Sequence, residues 1–97
     1  MPVKYSISIK ARDDLDSIWE YIAKDNPAAA NKVEDEILAA FDKLAENPFW
    51  GHTREDLTDE PLRFWPIYTY QIIYIPEPKP IEIVRVLSGY RNIQKIL

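Results

Sequence analysis

Two Asn-Pro dipeptides, Asn26-Pro27 and Asn47-Pro48, constrain the fold of this chain more than any other feature of the sequence. Asparagine suits the cap of a helix and proline its first position, whereas a proline beyond the last turn ends a helix. Between the dipeptides, apolar residues recur at helical spacing, at Val33, Ile37, Ala40, Phe41 and Leu44. The pattern predicts a helix from Pro27 to about Glu46, with a strongly acidic outer face.

A shorter helix is predicted just before the first dipeptide. From Ala11 onward the apolar residues again follow the helical period, at Leu15, Ile18, Trp19 and Ile22. Because the connection at Asp25-Asn26 is short, the two helices must be antiparallel neighbours. Ahead of them, the residues from Val3 to Ile9 alternate between apolar and polar, which predicts a half-buried strand.

The remainder of the chain predicts β-structure. Turn-forming residues fill positions 48–61, and three strand patterns follow at 62–65, 68–75 and 81–87, the last two joined by a proline-rich connection. We therefore predict a single α+β domain over residues 1–97, in the order β-α-α-β-β-β. A helical hairpin should pack on one face of a mainly antiparallel sheet. The tail, residues 90–97, is short enough for either a strand or a short helix.

Composition narrows the classes of function. The chain has no cysteine, which excludes disulfides and thiolate metal sites. It has no apolar run of the length of a signal peptide or membrane span, so a cytoplasmic protein that does not enter a membrane is expected. Residues 1–61 carry 7 Lys and Arg against 14 Asp and Glu, whereas residues 62–97 carry 5 against 2. The overall net charge of −4 opposes non-specific binding to DNA.

No catalytic constellation, cofactor motif or metal site can be recognised in the sequence. The single histidine, His52, lies in a loop, where a solvated side chain is the commonest case.

The arginines are more informative about function than the histidine. Arg85 falls among apolar strand residues and needs an acceptor. It either contributes to a cationic patch for phosphate or carboxylate, or forms an internal salt bridge with Asp56, Asp13 or Glu82.

Both faces of the predicted sheet are apolar. Alternation places Tyr68, Tyr70, Ile72 and Tyr74 on one face, and Thr69, Gln71, Ile73 and Ile75 on the other. The same alternation groups Arg85 with Ile81, Ile83 and Leu87. Since one helical hairpin covers one face well, the rest must be covered by the tail, by another copy or by a partner. Tyrosine-rich surfaces with a few arginines favour a partner.

Several segments, in this order along nearly the whole chain, resemble the ParE/RelE superfamily of bacterial toxins, on the ParE side. Three segments resemble the helical hairpin of ParE-like toxins: residues 11–23, Asn26-Pro-Ala-Ala-Ala and Ala45-Glu-Asn-Pro. The segment Gly51-His-Thr-Arg-Glu-Asp-Leu resembles the loop of the family, and residues 62–65 and 70–74 resemble its middle strands. The closing strand and tail are resembled by residues 81–93. One departure is Ser88, where ParE-like tails commonly have a histidine.

The resemblance implies the toxin of a type II toxin–antitoxin system, of the kind linked to plasmid stabilisation. Such a toxin is neutralised in a hetero-oligomer with a cognate antitoxin, for which Trp19, Tyr68, Tyr70 and Tyr74 are the candidate contacts. ParE-type members inhibit DNA gyrase by binding, without a cofactor, and the candidate target contacts are Arg63, Arg85, Tyr90 and Arg91.

RelE-type members instead cleave mRNA on the ribosome, and that alternative would make Arg63, Arg85 and Tyr90 catalytic. Because the middle of the chain is acidic and has no lysine cluster, gyrase is the favoured target. A third alternative is a relative that binds its antitoxin but is not toxic.

Overall fold

The computed structural model describes residues 4–88. The elements are β1 (Tyr5–Ile7), α1 (Ile9–Ala23), α2 (Pro27–Glu46), β2 (Arg63–Ile67), β3 (Tyr70–Ile75) and β4 (Ile81–Ser88). The strands lie in the order β1-β4-β3-β2, with β1 parallel to β4 and the other pairs antiparallel. The predicted α+β class and element order are confirmed, with a mixed sheet. The predicted tail lies outside the described residues.

The start of α1 corrects one sequence prediction. The Ser8 hydroxyl accepts a hydrogen bond from the Ala11 amide at 3.0 Å and donates one to the Val84 carbonyl at 2.7 Å. Ser8 therefore caps the helix and fastens it to β4. Ile9, which was predicted to point inward from a strand, is instead the first residue of α1 and is 82% exposed.

The second helix lies where the Asn-Pro dipeptides predict it. The Asn26 side chain accepts a hydrogen bond from the Ala29 amide at 3.0 Å, Pro27 is the first helical residue, and the helix ends at Glu46. Between the helices, the Trp19 indole N–H donates to the Asn31 side chain at 2.9 Å. The predicted helical hairpin is confirmed.

Apolar clusters lie on both faces of the sheet, as predicted. The larger cluster packs α2 against the sheet and includes Ile37, Phe41, Leu44, Ile72 and Ile83. The smaller cluster on the other face buries Leu62, Phe64, Ile73 and Leu87, and the loop residue Leu57 packs against it. Part of the second face is therefore covered by the loop between α2 and β2, a cover that the sequence did not predict.

A β-bulge changes which side chains share a face. The register between β3 and β4 shifts at Ile73/Tyr74. Ile73 pairs with Arg85 but Tyr74 pairs with Ile83, so Val84 is an extra residue in β4. As a result Ile83 lies in the larger cluster and Leu87 in the smaller. The predicted grouping of Ile81, Ile83, Arg85 and Leu87 on one face is wrong for this reason, since simple alternation assumes an uninterrupted strand.

The hairpin of β2 and β3 turns at Tyr68 and Thr69, so β3 begins two residues later than predicted. Tyr68 has a φ of 54°, in the left-handed region that glycine normally occupies. At the outer edge of β2, Phe64 exchanges two backbone hydrogen bonds with His52, of 2.7 and 2.8 Å. By alternation Pro66 also faces this edge, where its lack of an N–H is tolerated.

None of the helices within residues 4–88 is long and apolar enough to cross a membrane.

Candidate binding surfaces

Arg63 and Tyr74 hold the segment that follows α2 against the sheet. The Tyr74 hydroxyl donates a hydrogen bond to the Pro48 carbonyl and accepts one from the Gly51 amide, both at 2.8 Å. The Arg63 guanidinium donates to the carbonyls of Gly51, at 2.7 Å, and Phe49, at 3.2 Å. We call residues 48–51 the clamped segment, because these two side chains hold its backbone at both ends.

Tyr74 is completely buried, and its role as an antitoxin contact stays a prediction. Burial of the phenol raises the pKa of Tyr74, and the hydrogen bond from the Gly51 amide and the nearby Arg63 charge partly oppose that rise. Tyr74 is a core residue whose hydroxyl positions the clamped segment.

Arg85 forms a bidentate ion pair with Asp14 of α1. Its Nε and Nη2 atoms donate to the two carboxylate oxygens, each at 2.8 Å, and one of these oxygens also accepts from the Val86 amide at 3.0 Å. The two side chains are only 19% and 14% exposed. The hydrogen bonds to Asp14 raise the pKa of Arg85 further above its usual value, with burial opposing them. Of the two alternatives for Arg85, the structure shows the internal salt bridge, with an acceptor that the sequence did not identify.

The predicted target-binding residues are therefore not assembled into one site by the contacts within residues 4–88. Arg63 binds loop carbonyls beside β2, whereas Arg85 binds a carboxylate of α1. Tyr90 and Arg91 lie outside the described residues. His52 has an exposed side chain, and its contacts to β2 are made by its backbone. Within the described chain no group of three His, Asp or Glu side chains could hold a metal ion.

A first open groove, which we call the tyrosine groove, runs between α1 and the ends of β3 and β4, with a volume of about 790 Å³. Tyr21 and Ile18 of α1 line one wall, Tyr70 and Val86 of the sheet line the other, and the Asp14–Arg85 pair lies along it. Tyr21 is 75% exposed. Burial and the neighbouring Tyr21 raise the pKa of Tyr70.

The tyrosine groove contains one predicted antitoxin contact, Tyr70, and one exposed aromatic residue that the sequence did not single out, Tyr21. Tyr70 was predicted from the strand pattern, and Tyr68, 55% exposed, sits in the turn next to it. Tyr21 was missed because it lies beside the apolar stripe of α1; its spacing of three residues from Ile18 was the available signal. Trp19 is half-buried and bonded to Asn31, so its role in antitoxin binding stays a prediction.

A second open groove, which we call the tryptophan groove, lies between α2 and β2 and has a volume of about 330 Å³. Its wall is formed by Trp50, which stacks on Trp65 with ring centroids 6.0 Å apart, and by Ile67. Its helical side is formed by five residues of α2: Glu36, Ala39, Ala40, Lys43 and Leu44. Trp50 is 51% exposed although it lies in the clamped segment. The two grooves share no lining residue.

The fold is a small α+β domain with two open grooves, each lined by both polar and apolar side chains. The family model described as ParE toxin of type II toxin-antitoxin system, parDE, matches residues 5–93. The chain belongs to the ParE toxin family, as the resemblance implied.

A solved structure titled "Chromosomal ParDE TA system from P. aeruginosa" is similar to this chain, with a TM-score of 0.71 at 22% sequence identity. The likeness covers 89% of this chain and 95% of that one, and at such identity it shows a shared fold. No curated protein matches the chain.

Proposed function

We propose that this chain is a cytoplasmic toxin that inhibits DNA gyrase by binding it, and that a cognate antitoxin neutralises the toxin. Membership of the ParE toxin family supports the toxin–antitoxin context. The observation that supports action by binding is the Asp14–Arg85 ion pair. In this pair the Arg85 guanidinium, a cation that a nuclease would need, is already bound to a carboxylate of the same chain.

The same argument extends to the other strand arginine. A nuclease that relies on cationic side chains must aim them at a scissile phosphate. Arg85 is bidentate to Asp14, and Arg63 donates to the carbonyls of Gly51 and Phe49. Both guanidinium groups serve internal contacts, at two separate places on the sheet. This arrangement favours a toxin that acts through its surface over one that cleaves RNA.

The tyrosine groove is the surface that supports antitoxin binding best. Aromatic rings and apolar side chains line it, and the exposed Tyr68 lies in the adjoining turn beside the lining residue Thr69. Aromatic residues of this kind are enriched in interface cores. The residues that line the groove include Ser17 on α1 and Ser88 at the end of β4. A segment of the antitoxin that folds against Tyr21 and Tyr70 would bury both rings.

The target is tested by pulse-labelling bacteria after induction of the chain and following DNA and protein synthesis separately. We expect DNA synthesis to stop first, and the purified chain to inhibit supercoiling by gyrase. The matched control is the chain co-expressed with its antitoxin. Earlier arrest of protein synthesis would replace the proposal with the ribosome-dependent nuclease, and arrest of neither would indicate a non-toxic relative.

Antitoxin binding is tested with Tyr21→Ala and Tyr68→Ala, which alter exposed side chains and leave the core intact. Each should raise the dissociation constant of the complex by about tenfold or more, the effect of losing an aromatic interface anchor. Ile9→Ala is the matched control, since Ile9 is also an exposed apolar residue of α1 but belongs neither to the groove nor to the turn between β2 and β3. Equal affinity of all three variants would place the antitoxin elsewhere.

A further inference from the structure

The stripe of α2 that lines the tryptophan groove is complementary to itself. Four of its five residues, Glu36, Ala39, Ala40 and Lys43, are spaced at i, i+3, i+4 and i+7, so they lie along one line of the helix; the fifth, Leu44, is buried in the larger apolar cluster. A two-fold axis perpendicular to the helix and passing between Ala39 and Ala40 would place Glu36 of one copy beside Lys43 of the other. The same axis places Lys43 beside the second Glu36.

We infer that the tryptophan groove is the interface of a symmetric dimer of this chain, built on antiparallel packing of α2 against α2 of a second copy. A two-fold interface uses the same patch on both subunits and must therefore be self-complementary. Charge supplies that complementarity here, with one acidic and one basic residue at mirrored positions on either side of the axis. Within one chain Glu36 and Lys43 are seven residues apart, too far along the helix to pair with each other.

The shape of the stripe suits close contact between two helices. Ala39 and Ala40 stand at its centre. Ala39 is exposed, whereas Ala40 is buried in the larger apolar cluster, and such small side chains allow the helix axes to approach. On the sheet side, Trp50, Trp65 and Ile67 form an apolar wall that the side chains of the second helix would cover. Trp50 is more than half exposed in the isolated chain, and burying it would supply much of the association energy.

The acidic residues of α2 do not oppose the pairing along this line. Asp35 and Asp42 are on α2 but do not line the groove, whereas Lys43 does.

The clamped segment also matters, because Arg63 and Tyr74 fix the backbone on both sides of Trp50. The wall of the groove is therefore held in place before a second copy arrives, which lowers the cost of ordering it on association.

Charge reversal gives a test that only a two-fold interface can pass. Glu36→Lys places like charges opposite each other twice, and so does Lys43→Glu; each should raise the dissociation constant of the dimer by about tenfold or more. Mixing the two variants should restore dimers, because one copy then has lysine at both paired positions and the other copy has glutamate at both. The mass is measured by sedimentation velocity on the full-length chain from low to high micromolar concentration.

The matched control for Glu36→Lys is Asp35→Lys, an identical change of charge on the neighbouring exposed position, which should leave the dimer intact. For Lys43→Glu the control is Lys24→Glu, at the exposed end of α1. Circular dichroism verifies that every variant is folded.

Three results would overturn the inference: a wild-type chain that stays monomeric, dimers that survive both reversals, or a mixture that stays monomeric. A monomer whose affinity for the antitoxin falls with Glu36→Lys, but not with Asp35→Lys, would assign the groove to the antitoxin instead. None of these results bears on whether the chain stops DNA synthesis, so the target proposal is tested separately.

Discussion

Arg63 and Tyr74 are directly opposite each other on neighbouring strands, and their side chains bind the two sides of the same peptide segment. The Tyr74 hydroxyl donates a hydrogen bond to the Pro48 carbonyl and accepts one from the Gly51 amide, while the Arg63 guanidinium donates to the carbonyls of Phe49 and Gly51. A single cross-strand pair thus fixes the exit of α2 relative to the hairpin of β2 and β3. The position of Trp50 depends on this pair, and with it the shape of the tryptophan groove.

Gly51→Ala should destabilise the chain by about 2 kcal/mol, since overpacking costs about 1–3 kcal/mol. A methyl group at this position would lie 2.5 Å from the Tyr74 hydroxyl oxygen and 2.7 Å from its ring, closer than atoms can approach. Urea unfolding measures the change. Thr53→Ala, in the exposed part of the same loop, is the control and should stay close to wild type. A wild-type midpoint for Gly51→Ala would mean that the loop can shift away from Tyr74 without cost.

Tyr74→Phe should destabilise the chain by about 1–3 kcal/mol, the cost of leaving buried partners of a hydrogen bond unsatisfied. The substitution keeps the ring in the core and removes only the hydroxyl that joins Pro48 to Gly51. Tyr68→Phe removes a hydroxyl from an exposed ring and serves as the control in the same urea titration. Equal stability of the two variants would contradict the role assigned to the hydroxyl.

Stability should fall at alkaline pH, and Tyr74 should contribute to the fall. Burial raises its folded-state pKa above the ordinary value of 10.0, so the unfolded chain loses its proton first as the pH rises. The stabilisation is complete below about pH 10 and is lost through the interval up to the folded-state pKa. Urea midpoints measured between about pH 8 and about pH 11 should decline less steeply for Tyr74→Phe than for wild type. Parallel declines would show that other groups account for the loss.

The Asp14–Arg85 pair should show energetic coupling between α1 and β4. In a double-mutant cycle with Asp14→Ala and Arg85→Ala, the coupling energy should be about 2 kcal/mol, typical of mostly buried charged hydrogen bonds. The exposed Arg54–Asp56 pair, with a contact of 2.9 Å, is the control and should show no measurable coupling. Additive effects at positions 14 and 85 would mean that the ion pair contributes no more than its separate residues.

Tyr68→Gly should stabilise the hairpin and weaken antitoxin binding. A residue other than glycine in the left-handed region costs about 1–2 kcal/mol, and glycine removes that cost. The exposed ring that the proposal assigns to the antitoxin is lost at the same time. Thermal unfolding and the dissociation constant of the complex should therefore show a more stable chain that binds more weakly. Destabilisation by glycine would show that contacts of the Tyr68 ring outweigh its backbone conformation.

The sequence predicted the helical hairpin closely because its signals are local. Asn26 and Pro27 start α2 through contacts within one turn of the helix, and these hold in any surroundings. The β2–β3 turn was less predictable, since Tyr68 adopts a conformation that its residue type disfavours. The bulge in β4 was not predictable either, because it depends on the register between two strands. A single extra residue there changed the neighbours of Arg85.

The residues of the candidate surfaces also divide into those that local sequence patterns predict and those that depend on contacts between distant parts of the chain. Alternation alone placed Tyr70 on the same face as Ile72 and Tyr74, and the structure confirms that grouping, because Ile72 and Tyr74 lie in the larger cluster and Tyr70 packs against it. Tyr74 followed the same alternation, but its burial depends on the segment after α2, which is distant in sequence. The tryptophan groove needs Trp50 and Trp65 to meet across 15 positions of the chain, and nothing local signals that contact. The partner of Arg85 was a choice among several acidic residues that only tertiary packing could decide.

The bridge between His52 and Phe64 has a consequence for how the free chain behaves at high concentration. The outer side of β2 would otherwise present a row of backbone groups on which another strand could grow. His52 occupies the hydrogen bonds of Phe64, and Pro66 supplies no amide farther along. A chain that accumulates without a partner is thereby protected along this border from fibril-like stacking. Association at β2 must proceed through side chains, whose identity can be selective, and not through backbone groups common to every protein.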